Sequence, residues 1–119
     1  MLMKTSDLSG EALNFAVCFA EGYPATATSY GHACYLHERS GLWVYPHYLE
    51  WKDAGPIIER ERIELGSYAD QWQATMHLED GSIYELGPTP LIAAMRCYVA
   101  SKLGDEVEIP DCLVKGETP

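Results

Sequence analysis

Apolar residues recur at helical spacing from Pro90 to Leu103. At about 100° per residue, Leu91, Ile92, Met95, Tyr98, Val99 and Leu103 share one broad arc, joined by the stem of Lys102. Both ends are signed. Thr89 can cap the first turn, Pro90 needs no N–H at the first helical position, and Gly104 can adopt the left-handed conformation that ends a helix. The opposite arc carries Ala93, Cys97, Ala100 and Ser101, small residues that admit a second close contact. That contact is either another element of the same domain or a second subunit, making a homodimer. A second helical pattern runs from Ser9, with Asp7 or Ser6 as alternative caps, to Gly22. There Ala12, Leu13, Phe15, Ala16, Val17, Phe19 and Ala20 form a wide apolar arc, and Glu11, Asn14, Cys18 and Glu21 are left for the solvent side. Two alanine-rich helices of this kind are expected to pack on each other.

Between and after these helices the period changes. Trp72, Ala74, Met76 and Leu78 alternate with polar residues, and Glu79-Asp80-Gly81-Ser82 supplies a turn into Ile83-Tyr84-Glu85-Leu86, which predicts a hairpin. A tight turn there would set Leu78 opposite Ile83 but Met76 opposite Glu85, so a bulge or longer loop is an alternative. Ala33–Leu36 and Leu42–Tyr45 read as short strands joined through Glu38–Gly41, and Thr26–Tyr30 as a strand or a loop. Tyr48–Gly55 reads as irregular. Pro56–Arg62 suits one or two helical turns opened by proline, with an extended segment into Leu65 as the alternative. The sum is an α+β fold: two main helices on a small, mostly antiparallel sheet of three to five strands. Residues 1–110 are expected to form one domain and 111–119 an acidic, mobile tail.

Charge and composition remove some functions. A net charge of −10 over 119 residues opposes direct binding to nucleic acid or anionic membranes and favours a neutral or basic protein partner. No apolar run is long enough to span a bilayer, and the start lacks the uninterrupted apolar stretch of a secretory signal. A cytoplasmic protein is the expectation. Cys18, Cys34, Cys97 and Cys112 occur singly, as reduced structural thiols do.

Candidate chemistry is sparse. His32, Cys34, His37 and Glu38 are the only cluster of metal-ligand types, but strand alternation directs His37 away from His32 and Cys34, so no metal and no cofactor is expected. His47 and His77 can titrate near neutral pH, yet no carboxylate or nucleophile is fixed beside either by the sequence. The start of the Pro90 helix offers donors to an anion, but Thr89 is expected to satisfy them. Glu59-Arg60-Glu61-Arg62 can pair with Arg96 through Glu59 or Glu61 and lock the short segment to the last helix. Tyr45, Tyr48 and Trp51, flanking Pro46, are candidates for an aromatic contact patch. Tyr45, Tyr48, Trp51, Glu59, Arg60 and Arg96 are therefore the candidate binding residues, with no catalytic residue assigned.

Three blocks carry a resemblance. Lys4–Gly10 with the following Ala-Leu-Asn-Phe-Ala-Val, Gly55–Glu61, and the run from Gly87 through Pro110 resemble the NinX-like proteins of phages and prophages. The resemblance implies a phage- or prophage-derived intracellular protein and brings no activity, cofactor or catalytic residue with it. Members of that family tend to begin at the equivalent of Met3-Lys4-Thr5, which makes Met3 an alternative start. The reading that follows is a non-enzymatic accessory protein that binds another protein, host or phage, or a second copy of itself. A small hydrolase or transferase using the histidines and nearby carboxylates is the alternative, as is an acidic decoy of a nucleic-acid-binding host protein.

Overall fold

The computed structural model describes residues 1–114. Expected residues of the tail, 115–119, lie outside the described residues. The chain is α+β as its periodicity predicts, with three helices and eight strands among the described residues, where two main helices on one sheet of three to five strands were expected. In chain order these are β1 (Leu2–Lys4), α1 (Gly10–Ala20), β2 (Thr26–Ala27), β3 (Ala33–Leu36), β4 (Trp43–Val44), α2 (Trp51–Glu61), β5 (Glu64–Tyr68), β6 (Gln71–Leu78), β7 (Gly81–Gly87), α3 (Pro90–Leu103) and β8 (Glu106–Glu108). The strands form three separate antiparallel ladders, β1-β8, β2-β3-β4 and β5-β6-β7. No helix among the described residues is long and apolar enough to cross a membrane.

Helix α3 is the axis of the fold. Thr89 Oγ1 accepts from the Ile92 N–H at 3.2 Å as read, and Gly104 ends the helix at φ 89° and ψ −163°, a positive-φ conformation open to glycine but outside the expected left-handed helical one. The helix packs on α1 as expected, and half of its small face, Ala93 and Cys97, is covered as well, with Ala100 and Ser101 only partly so. Ala93 and Cys97 are fully buried against β6 and β7, where the Cys97 thiol lies 3.8 Å from the Ile83 carbonyl oxygen. The small residues thus serve close packing inside the domain, and the face offered to a second subunit at Ala93 and Cys97 is taken. Gly87 makes this approach feasible: a Cβ there would come within 2.7 Å of the Ala93 nitrogen.

Helix α1 differs from its expected polar face. Asn14 and Cys18 are buried and Phe19 is half exposed. Asn14 is inside because its amide has work there: Nδ2 donates to the Pro46 carbonyl at 2.6 Å and Oδ1 accepts from the Tyr48 N–H at 2.9 Å. Ser9 stands at the N-cap without a side-chain bond.

Helix α2 starts at Trp51, five residues before Pro56, where an irregular segment was expected. Proline marks the first turn of many helices, but here the first turn is satisfied upstream. The Glu50 carbonyl accepts from Asp53 and Ala54, and Asp53 Oδ2 reaches back to the His47 N–H at 3.0 Å. Ala54 and Ile57 face the core, three residues apart on one side. Arg62 closes the helix at φ 55°, with the Ile63 N–H returning to the Ile58 carbonyl.

The expected hairpin is present and gains β5 as a third strand. Its turn is Glu79-Asp80, with Leu78 opposite Gly81, so Met76 faces Ile83 and Ala74 faces Glu85 without a bulge. At the other extreme of the chain, residues 111–113, read as the start of a mobile tail, form a 3-10 turn that buries Leu113.

Candidate functional site

The aromatic patch expected at Tyr45, Tyr48 and Trp51 is divided. Tyr48 is buried, because Asn14 pins the loop from Pro46 to Tyr48 against α1, and burial pushes its hydroxyl well above the ordinary tyrosine range. Tyr45 and Trp51 remain exposed. A second exposed apolar group lies on the neighbouring hairpin. Leu36 of β3 and Trp43 of β4 are direct cross-strand partners and both are exposed, with Leu42 67% exposed beside them. On the other side of β3, Tyr35 turns inward and stacks on Tyr23, with ring centroids 4.2 Å apart and planes within 8°. The signal for Leu36 and Trp43 was present in the alternation of those strands, but their short length concealed which face would be covered.

The charged residues also regroup. Arg96 does not meet Glu59 or Glu61. Its Nε donates to the Leu8 carbonyl at 2.7 Å and its Nη1 to the Leu86 carbonyl at 2.8 Å, so it ties the segment before α1 to the end of β7 across α3. Burial lowers its pKa, and the charges of Glu85 and Asp7 work against that shift. Arg60 instead meets Glu21, the residue that caps the end of α1: Nη2 lies 2.6 Å from Glu21 Oε2, Nε is 2.8 Å from Glu61, and Nη2 is 3.1 Å from the Tyr98 hydroxyl. The Tyr98 hydroxyl donates to Glu21 in turn, and Arg60 lies over the Tyr98 ring at 5.7 Å. Burial pushes the Glu21 carboxyl up, but the hydrogen bonds of Arg60 and Tyr98 and the charges of Arg60 and Lys102 outweigh it, leaving it below its usual value. Glu59 points to solvent, outside this network.

The histidines stay on separate local partners. His37 Nδ1 meets the Ser40 N–H and hydroxyl, His47 Nδ1 lies 3.8 Å from Glu50, and His77 stands between Ser82 and Glu64. No group of three or more His, Cys, Asp or Glu side chains capable of holding a metal occurs among the described residues. Burial pushes the Cys18 and Cys97 thiols up to about 12 and raises that of Cys34, so none of these three offers a thiolate at neutral pH. The Thr89 cap satisfies a donor that an anion at the start of α3 would need.

One polar feature was missed from the sequence. Glu85 occupies a core-facing position of β7, in line with Ile83 and Gly87, and is only partly exposed. Burial raises its pKa against the opposing charge of Arg96. Its misfit in the apolar alternation was the visible signal; the sequence made it look like a register problem.

A family model described as "Bacteriophage P22, NinX" matches residues 4–102, which includes α1, α2, the whole β5-β6-β7 sheet and α3 up to its last residue. The chain belongs to the phage P22 NinX family. A search of curated proteins finds no match. The matched NinX segment contains all six candidate binding residues and Glu85, and stops before β8.

Proposed function

We propose that this NinX-family chain is a phage accessory protein, acting in the cytoplasm by binding a partner protein through the exposed apolar surface of the β3–β4 hairpin together with Tyr45 and Trp51. The observation that carries the reading is the Leu36–Trp43 pair, two large apolar side chains held opposite each other and left open to solvent by short strands. Rigid aromatic anchors of this kind supply contact area at little entropic cost. The net charge of −10 favours a partner with a basic surface. The separate settings of His37, His47 and His77 give no support to the hydrolase or transferase reading.

The test is affinity capture from phage-infected host lysate with the parent chain, Trp43→Ser and Trp51→Ser, each first shown to melt at the parent temperature. A partner retained by the parent and lost from Trp43→Ser supports the surface; equal capture by all three removes it. Retention that falls steeply between low and moderate salt identifies the narrower acidic-decoy form, in which charge carries the contact.

A further inference from the structure

Strand β5 is an open sheet edge whose outward backbone groups can be named. Its turn into β6, Ala69-Asp70, has two residues, so Tyr68 and Gln71 form a hydrogen-bonded pair, and by alternation so do Gly66 with Gln73 and Glu64 with Thr75. The N–H and C=O groups of Leu65 and Ser67 therefore point away from β6. No backbone hydrogen bond outside the ladder reaches either residue among the described residues. Edges of this kind are usually guarded by lysine, proline or a bulge. β5 reads Glu-Leu-Gly-Ser-Tyr in unbroken register with β6, and its one charge, Glu64, lies 3.1 Å from His77 of β6. The opposite edge differs: the outward Leu86 carbonyl of β7 is taken by Arg96.

We propose that β5 pairs with β5 of a second copy, antiparallel and centred on Gly66, joining two three-stranded sheets into one. In that register the outward groups of Leu65 meet those of the partner's Ser67, and those of Ser67 meet the partner's Leu65, as a two-fold contact requires. Centred on Leu65 instead, the ladder would call on Ile63, whose N–H is already bound to the Ile58 carbonyl. The Gly66 register also suits charge and shape. Glu64 falls opposite the partner's Tyr68, so a chain of net charge −10 meets its copy without a like-charge pair in the ladder. Gly66 falls opposite the partner's Gly66, and a Cβ built on it meets no atom within 4 Å. A shallow hollow of about 240 Å³ lies there, lined on the same face by Glu64, Gln73 and Thr75. Tyr68, 56% exposed on that face, is the diagonal neighbour that covers the hollow of the other copy. This edge belongs to a different sheet from the β3–β4 hairpin, so neither proposal depends on the other.

The experiment is sedimentation of the full chain up to about 300 µM, a concentration that populates a dimer of micromolar affinity, with amide exchange measured at the same concentration. The parent is expected to sediment as two chains. Two variants are designed to leave the monomer intact. Ser67→Pro removes one outward donor and keeps the β5–β6 bonds, and Gly66→Lys sets like charges against each other at the axis, where the monomer has room. Both are expected to keep the circular dichroism of the parent and to sediment as single chains; Gly66→Lys carries the test where proline disturbs the strand. The Leu65 and Ser67 amides are expected to exchange at least about fivefold more slowly in the parent than in Gly66→Lys, with those of Glu64, Gly66 and Tyr68 little changed. A parent that stays monomeric overturns the proposal, as does a dimer in which Leu65 and Ser67 exchange as fast as in Gly66→Lys. Folded variants that dimerise as the parent does overturn it equally.

Discussion

Asn14, Glu21, Glu85 and Arg96 are polar side chains placed where the surrounding positions are apolar, and each has a different physical justification. Asn14 and Arg96 satisfy backbone groups of segments distant in sequence, the Pro46–Tyr48 loop and the Leu8 and Leu86 carbonyls. Glu21 is held by Arg60 and Tyr98, whereas Glu85 has only an opposing charge at a distance. The two glutamates therefore respond to pH with opposite sign. Glu21 sits below its usual pKa in the folded chain, so its contribution is present above the ordinary carboxylate range and is lost as pH falls through the folded value. Glu85 sits above its usual pKa, so its ionised form costs stability, and that cost grows as pH rises through the folded value. Thermal melts across pH 3 to 8, roughly the carboxylate and neutral range, check this. Glu21→Gln is expected to melt below the parent at neutral pH and to converge with it in acid. Glu85→Gln is expected to melt at or above the parent at neutral pH and likewise to converge. The settings of Asn14 and Arg96 were not legible beforehand, because a hydrogen bond between residues 32 or 88 positions apart leaves no mark in local periodicity, whereas Glu85 showed as a break in the alternation of its strand.

At the scale of elements, α3 was readable and α2 was not, and the difference is instructive. Thr89, Pro90 and Gly104 act through their own backbone neighbours, so their meaning survives without tertiary context. Pro56 has the same local meaning but is overruled, since Glu50 and Asp53 organise the first turn five residues earlier and Ala54 and Ile57 gain burial from it. The β6–β7 hairpin was legible in its strands and not in its register: the turn centres on Glu79-Asp80, which settles Ala74 opposite Glu85. Gly87, at the end of that hairpin, sets how closely the sheet approaches α3. Gly87→Ala places a methyl group 2.7 Å from the Ala93 nitrogen, a backbone atom that cannot step aside. The expected loss is about 1–3 kcal/mol, the usual cost of overpacking, read from urea unfolding. An unchanged midpoint would mean that α3 and β7 slide past each other freely.

Over the whole molecule, α3 packs on the β5-β6-β7 ladder and touches β8, while α1, itself packed on α3, carries the β2-β3-β4 ladder. The β1–β8 ladder pairs Leu2 with Glu108, Met3 with Val107 and Lys4 with Glu106, and the backbone beyond it buries Ile109 and Leu113. The family match ends at residue 102, yet the core of this chain runs eleven residues further, to Leu113. A chain truncated after Asp105 loses the burial of Val107, Ile109 and Leu113, each worth about 1.5–3 kcal/mol, against a total stability on the order of 5–15 kcal/mol. It is expected to lose its cooperative melt or to melt far below the parent, by circular dichroism. Retention of the parent melt would show that the last ladder only decorates the fold.

The pairing of β1 with β8 also orders events in time. β1 is made before α1 and has no partner until residues 106–108 follow, after α1, α2, α3 and the other strands of the three ladders have been made. Loop closure over a hundred or so residues is slow relative to a local hairpin. Leu2 and Met3 therefore wait unpaired while α1, the β3–β4 hairpin and the β5-β6-β7 sheet assemble, and the β1–β8 seam is sealed after them.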